Sequence, residues 1–332
     1  MVSVVVVNWN RIALLRACLA SLAKQAGVAF ETIVVDNGST DGSADIAERE
    51  FGALVVRNRE NRGFCAANNQ GIAAARGDFI ALFNNDAEAA PGCLAALYRA
   101  CSRAPDVGMA AAKVLVWEDP RYIDKAGHLI YPDGQNRGRG TGALDHGQFD
   151  REEEVLWPDG SAAMYRKEML DRIGGFDEDL FAYADDAELG LRARIAGWKC
   201  IYTPEAVVRH HRASTLGKDS VRRLELIERN RVLLVLKLFP WSLVWLNPFY
   251  LVARVAAGMA AARRGTGDTA HFPGFRGKWS MARALIRGDL AALRMMPRTL
   301  RKRAAMRSIR RLSPVEVRRL ILAHRPSLRE MV

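Results

Sequence analysis

Four polar stretches carry residues whose types and spacing could do chemistry. Asp36 follows the apolar run Thr32 to Val35 and opens Asn37-Gly38-Ser39-Thr40-Asp41-Gly42-Ser43. Open α/β sheets bind ligands beyond the carboxyl ends of their strands, and a carboxylate there can accept the imide N–H of uracil or thymine. Asp86 ends Asn84-Asn85-Asp86 after a second apolar run. One or two carboxylates, with diphosphate oxygens supplying further ligands, are enough to hold magnesium or manganese. Asp185-Asp186-Ala187-Glu188 stands directly before a helical stretch. Acids suit a helix N-terminus, yet two adjacent ones exceed what capping needs, and a carboxylate beside an acceptor hydroxyl can act as general base. His210-His211 follows a short strand, and imidazole suits manganese better than magnesium. Taken singly, each stretch also reads as an ordinary turn or cap; the dinucleotide fingerprint GxGxxG is absent after the first strand.

The elements that must position these residues alternate. Val2 to Val7 reads as a buried parallel strand and Leu14 to Ala26 as a helix. Strands are predicted again at Thr32–Val35, Ala53–Arg57 and Asp78–Phe83, with helices over Asp45–Phe51 and Gly63–Arg76. Such alternation predicts an α/β fold, a mostly parallel Rossmann-like sheet with helices on both faces. From about residue 92 to 155 the pattern weakens: Leu94–Arg103 looks helical, and Gly134–Gly147 reads as a loop rich in Gly and charge. Helices are predicted at Lys167–Ile173 and Ala187–Ala196, and short strands at Ile201-Tyr202 and Ala206–Val208. Val221–Leu238 follows as a long helix.

The chain of 332 residues is 49% hydrophobic and 26% charged, a globular composition. Cys18, Cys65, Cys93, Cys101 and Cys200 form no CxxC pair, and the N-terminus shows no leader pattern; both suit reduced thiols and a cytoplasmic location. Charge is unevenly placed. Residues 263–332 hold 18 Lys+Arg against 4 Asp+Glu, a net +14, while the rest nets −2. A cationic tail seeks an anionic surface. Its arginines interleave with Leu, Ile, Ala and Met and lack stacking aromatics, which favours a membrane surface over nucleic acid. Leu238–Ala253 is uncharged but short for a spanning helix, so residues 238–262 read as interfacial or re-entrant, with Trp241, Trp245 and Tyr250 at headgroup level, or else as core.

The ordered set of motifs resembles the inverting glycosyltransferase family 2, which has the GT-A fold. The likeness runs over about residues 1–216: Val4-Val5-Val6-Val7-Asn8-Trp9-Asn10, Val34-Val35-Asp36 through Ser43, Asn61-Arg62-Gly63-Phe64 with Asn68-Asn69, and Asn84-Asn85-Asp86. Gly174-Gly175-Phe176-Asp177-Glu178, Tyr183-Ala184-Asp185-Asp186, Leu191-Arg192 and Gly197-Trp198 complete it. The resemblance implies that Asp36 holds the donor base, with further donor contacts from Asn8, Asn37, Gly38, Asn61, Gly63, Asn68 and Asn85. Asp86 is the last acid of the family's metal motif, whose first acid is missing here, Asn84 standing in its place, and His210 or His211 joins it on Mg2+ or Mn2+. Asp186 is the general base, with Asp185 as alternative, and Gly160-Ser161 lies beside the acceptor. Within the family the chain looks most like bacterial rhamnosyltransferases. That implies a dTDP- or UDP-sugar donor, a lipid-linked glycan acceptor, no nucleic acid partner, and a peripheral place at the inner face of the cell membrane. The expected division is a catalytic domain over 1–217 and a helical, basic, membrane-associating region over 218–332. A non-catalytic nucleotide-sugar or glycan binder, and a nucleotidyltransferase, use the same sheet logic.

Overall fold

A computed structural model describes residues 1–211, 220–263, 274–328 and 330–331. The chain divides into two compact units: Met1–His128 with Gly138–Arg212, and Leu129–Arg137 with Ala213–Val332. The expected boundary at 217/218 falls outside the described residues.

The first unit is built on one sheet. β1 (Val2–Asn8), β2 (Phe30–Asp36), β3 (Leu54–Arg57) and β4 (Phe79–Asn84) are mutually parallel, in the order β3-β2-β1-β4. β-Branched residues fill β1, and all of its valines but Val7 are fully buried, as a strand covered on both faces requires. Val4 and Val6 meet Leu15 and Leu19 of α1 (Ile12–Leu22) and Leu94 and Leu97 of α4 (Cys93–Ser102). On the other face α3 (Phe64–Ala74) comes close enough that a Cβ on its Gly71 would stand 2.3 Å from Val5 Cγ1. Fully burying each of these side chains contributes about 1.5–3 kcal/mol. α2 (Ser43–Phe51) connects β2 to β3. The helices and strands expected over residues 1–90 are all present, with ends displaced by a few residues.

Beyond β4 the sheet holds strands that periodicity did not reveal. After the short β5 (Ala87–Ala89) comes β6 (Val107–Val116), ten residues long and buried over its first eight. β7 (Ile123–Lys125) pairs antiparallel with it. β8 (His128–Ile130) and β9 (Asn136–Gly138) form a separate two-stranded sheet, β9 lying inside the stretch Gly134–Gly147 read as loop. After β10 (Glu153–Val155), β11 (Ala162–Arg166) runs antiparallel between β4 and β6. The two short strands expected near residue 205 are parts of one, β12 (Lys199–His210), whose register shifts between Thr203 and Val207 around Pro204. A proline cannot donate to the ladder and is accommodated at such an irregularity. α5 (Lys167–Ile173) and α6 (Asp185–Ile195) precede β12. The result is a mixed, mostly parallel sheet whose parallel strands all end on one rim.

The second unit is helical: α7 (Val221–Leu238), α8 (Trp241–Arg263), α9 (Gly274–Ala305) and α10 (Pro314–Ala323). The tip of the β8–β9 hairpin belongs to it. There Arg231 of α7 donates to the Asp133 carbonyl at 2.5 Å and pairs with Glu228 at 2.6 Å. α10 begins with a capping box, Ser313 and Glu316 satisfying each other's backbone N–H, and Pro314 at the first turn.

Candidate active site

The rim at the carboxyl ends of the parallel strands collects the candidate residues. Register alone places three of them: Asn8 ends β1 opposite Asp36 at the end of β2, and Val7 pairs with Asn84 at the end of β4. β11 is antiparallel, so its start lies on the same rim; the Ser161 carbonyl accepts from the Asn84 N–H at 3.0 Å. Asp86 follows β4, and His210 ends β12 opposite Val116 at the end of β6.

Side-chain contacts join these positions. Asp36 Oδ2 accepts from the Ser39 N–H at 3.1 Å. Asn8 donates to Ser39 Oγ at 3.3 Å and accepts from Asn85 Nδ2 at 2.7 Å. The other oxygen of Asp36, Oδ1, is buried and accepts no hydrogen bond among the described residues. An unmet buried acceptor is costly, and a ligand N–H would satisfy it.

Next to Asn85, Asp86 Oδ1 stands 3.4 Å from His210 Nε2. His210 Nδ1 lies 2.8 Å from Asp124 Oδ2, and all three side chains are buried. Burial alone would lower the His210 pKa; hydrogen bonds that the ring donates to the Asp124 and Asp86 carboxylates outweigh it and lift it to about 9. A carboxylate behind the second ring nitrogen is how proteins orient a metal-binding histidine. One carboxylate and one oriented imidazole form a donor set that fits Mg2+ or Mn2+ when diphosphate oxygens supply the remaining ligands. His211 is not part of it: its ring stacks on Trp117 at 4.1 Å, and its Nε2 faces Glu88 at 3.9 Å.

A second cluster surrounds Asp186. Its Oδ2 is 3.3 Å from His128 Nε2, which is also 3.0 Å from Asp159 Oδ2. The spacing of His128, Asp159 and Asp186 would suit a cation. The Lys125 ammonium already stands 2.5 Å from Asp159 Oδ2. Burial would raise the Asp159 pKa, but the charge of Lys125 and the His128 hydrogen bond hold it well below the usual range. Asp159 also accepts from the Ser161 N–H at 2.9 Å and from its hydroxyl. Gly160 brings this turn close to α6: a Cβ there would be 3.8 Å from Asp186 Cβ.

Asp185 and Asp186 open α6 behind a strained approach, in which Phe181, Tyr183 and Ala184 all have positive φ. Non-glycine residues in that region cost of order 1–3 kcal/mol each and cluster at functional sites. The helix is held by Arg192, which pairs with Glu188 at 2.7 Å and donates to the carbonyls of Ile173, Gly174 and Gly175 at 2.6–2.9 Å. Asp185 is buried deeper than Asp186, and burial, with the neighbouring Asp186 charge, pushes its pKa up to about 7.

Several expected donor contacts are spent inside the protein. Asn37 bridges Asn61, Asn58 and the Arg62 N–H. Asn61 also accepts from the Gly63 N–H, and Asn68 donates back to the Phe64 carbonyl. Asn37 and Asn61 thereby shape the loop, and the Asn68 bond lies within α3. Gly38 and Gly63 are required by the same packing. At φ +82 and +86, added Cβ atoms would strike the Glu60 backbone at 2.8 Å and the Phe181 ring at 2.4 Å. Conversely, Asp124, Lys125, His128 and Asp159 escaped the sequence reading. The first three lie on strands of three residues, too short for periodicity; Asp159 carried one signal, its position directly before Gly160-Ser161.

The family model for glycosyl transferase family 2 matches residues 3–174. The N-acetylglucosaminyl-diphospho-decaprenol L-rhamnosyltransferase of Mycobacterium tuberculosis is 29% identical over 243 residues, covering 67% of this chain and 79% of that protein. Among solved structures, the mannosyltransferase PcManGT from Pyrobaculum calidifontis, in complex with GDP-Man and Mn2+, superposes with TM-score 0.53 and 24% identity. That match covers 88% of this chain and 86% of the other. GalNAc-T7 with UDP, GalNAc and Mn2+ gives TM-score 0.58 at 17% identity, over 71% of this chain and 47% of the other. These likenesses show the GT-A fold. The chain belongs to glycosyl transferase family 2, and its catalytic unit has the fold expected of that family.

Proposed function

We propose that this enzyme moves a sugar, rhamnose in the first instance, from a dTDP- or UDP-sugar to a hydroxyl of a lipid-linked glycan, with inversion at the anomeric carbon. The observation that carries the reading is the continuous run of contacts along one rim, from Asp36 through Asn8 and Asn85 to Asp86 and His210. The Asp186 cluster stands at the same edge. The acceptor class follows the relative that acts on N-acetylglucosaminyl-diphospho-decaprenol, and such an acceptor puts the reaction at the inner face of the cell membrane.

The roles divide by chemistry. Asp36 Oδ1 accepts the imide N–H of the donor base. Asp86 and His210 would hold a divalent cation, which when bound neutralises charge on the departing diphosphate. Asp186, partly exposed and next to Gly160-Ser161, takes the proton of the acceptor hydroxyl. The hydroxyl oxygen then bonds to the anomeric carbon as the bond to the diphosphate oxygen breaks, its electron pair leaving with the diphosphate. His128 and Asp159, neutralised by Lys125, position Asp186 for that transfer.

A screen of nucleotide-sugars by thermal shift in Mn2+ or Mg2+ tests the donor assignment, because a ligand that binds only the folded state raises its melting temperature. A dTDP- or UDP-sugar should stabilise the protein and a GDP-sugar should not. A shift with guanine nucleotides alone would overturn the reading of Asp36.

A further inference from the structure

α8 is long and apolar enough to cross a membrane by length and composition, yet almost none of it is buried. Its two faces are unlike. Trp241, Trp245, Phe249, Val252, Val255 and Met259 recur at intervals of three or four residues, which puts them on one face of a helix. All six are exposed, Trp245 at 77% and Phe249 at 74%. The opposite face is tied to its own unit. Leu243 is fully buried. Asn247 donates to the Pro132 carbonyl at 3.4 Å, and the Tyr250 ring meets Tyr131 edge-on at 5.8 Å. Arg254 pairs with Asp133, whose side chain is fully buried. Tyr250 therefore faces inward and not, as the sequence suggested, a headgroup layer.

We infer that α8 lies in the plane of an anionic lipid bilayer, its Trp245–Phe249 face embedded in the headgroup and acyl boundary, and that it does not cross the membrane. A spanning helix would have to carry the Arg254–Asp133 pair and Asn247 into hydrocarbon, where polar groups are costly. An in-plane helix leaves them against protein and buries only the apolar row. Charge selects the occupant. α9 exposes Trp279, Ile286, Leu290 and Leu293 among Arg283, Arg287, Arg294 and Arg298. Arginines flanking apolar residues attract anionic phospholipid, whereas two copies of this unit would bring like charges together. The inference rests on the second unit alone and needs no sugar donor, so its failure and that of the proposed activity are separable.

The test uses the full chain with phosphatidylglycerol-containing vesicles and with pure phosphatidylcholine vesicles. Flotation should recover the protein with the anionic vesicles, and Trp245→Asp combined with Phe249→Asp should cut recovery about tenfold or more. Both side chains are exposed, so the melting temperature in solution should not change. In a second measurement, single cysteines at 245, 247, 249 and 252 carry an environment-sensitive dye. The five native cysteines are buried and label poorly. Brominated lipid should quench the dye at 245, 249 and 252, all at shallow depth, and spare 247. Equal quenching at 247, or depth rising steadily along the helix, would mean a spanning helix and overturn the inference. So would wild-type protein that ignores anionic vesicles, or a dimer in solution that the double substitution dissolves without any vesicle binding.

Discussion

Two adjacent carboxylates at the start of α6 have different surroundings, and their environments divide the work. Asp186 touches His128 and stands beside the Gly160 turn. Asp185 is buried, with a pKa near 7. The native state therefore holds a proton on Asp185 that the unfolded chain has released, across the window from about pH 4 to pH 7. Stability from this group falls as pH rises through that window and is flat above it. Asp185→Asn removes the penalty, so its melting temperature should exceed wild type at pH 8 and match it near pH 4. Asp36 offers a second prediction at this scale. Its buried Oδ1 has no partner among the described residues, and a hydrogen bond to a charged group contributes about 1.5–3 kcal/mol. Asp36→Ala should weaken donor binding about 10–100-fold in calorimetry, at equal metal concentration.

Elements decide which residues meet. The parallel half of the sheet was legible because buried parallel strands read as unbroken apolar runs, as Val2 to Val7 does. Asp36 and Asp86 follow such runs, so their rim could be foreseen. β6 and β11 were not legible: β11 is Ala-Ala-Met-Tyr-Arg, and β6 holds Gly-Met-Ala-Ala-Ala in its middle, small residues with weak strand preference. Pairing with β4 and with each other imposes the strand state there. With those strands unseen, Asp124 and Lys125 on β7, which pairs with β6, and Asp159 just before β11 had no address on the sheet, and His128 lies on the separate β8–β9 sheet. The family resemblance implies donor contacts from Asn37, Asn61 and Asn68; in the structure Asn37 and Asn61 bond within the loop and Asn68 bonds within α3. Their loop closes on Gly38, which lies against the Glu60 backbone. Gly38→Ala should lower stability by about 1–3 kcal/mol in denaturant melts and loosen donor binding with it.

At the scale of the molecule, a near-neutral stretch over residues 1–262 is followed by a strongly cationic tail. The sequence carried that asymmetry plainly, since charge counts need no fold. It did not carry the assignment of Leu129–Arg137 to the helical unit, which depends on contacts far apart in the chain such as Arg231 to Asp133. The proposed metal belongs to this scale too, because it would be held by Asp86 after one strand end and His210 at another. EDTA should abolish transfer, and Mn2+ or Mg2+ should restore it; His210→Ala should raise the metal concentration needed for half-maximal rate about 10–100-fold. The central claim is that carboxylates 36, 86 and 186 serve one reaction. It is tested most directly by single-turnover transfer with Asp186→Asn, alongside calorimetric donor binding by the same protein. Donor affinity should stay within about threefold of wild type, and the transfer rate should fall by about 10²–10⁴. An unchanged transfer rate would contradict that claim.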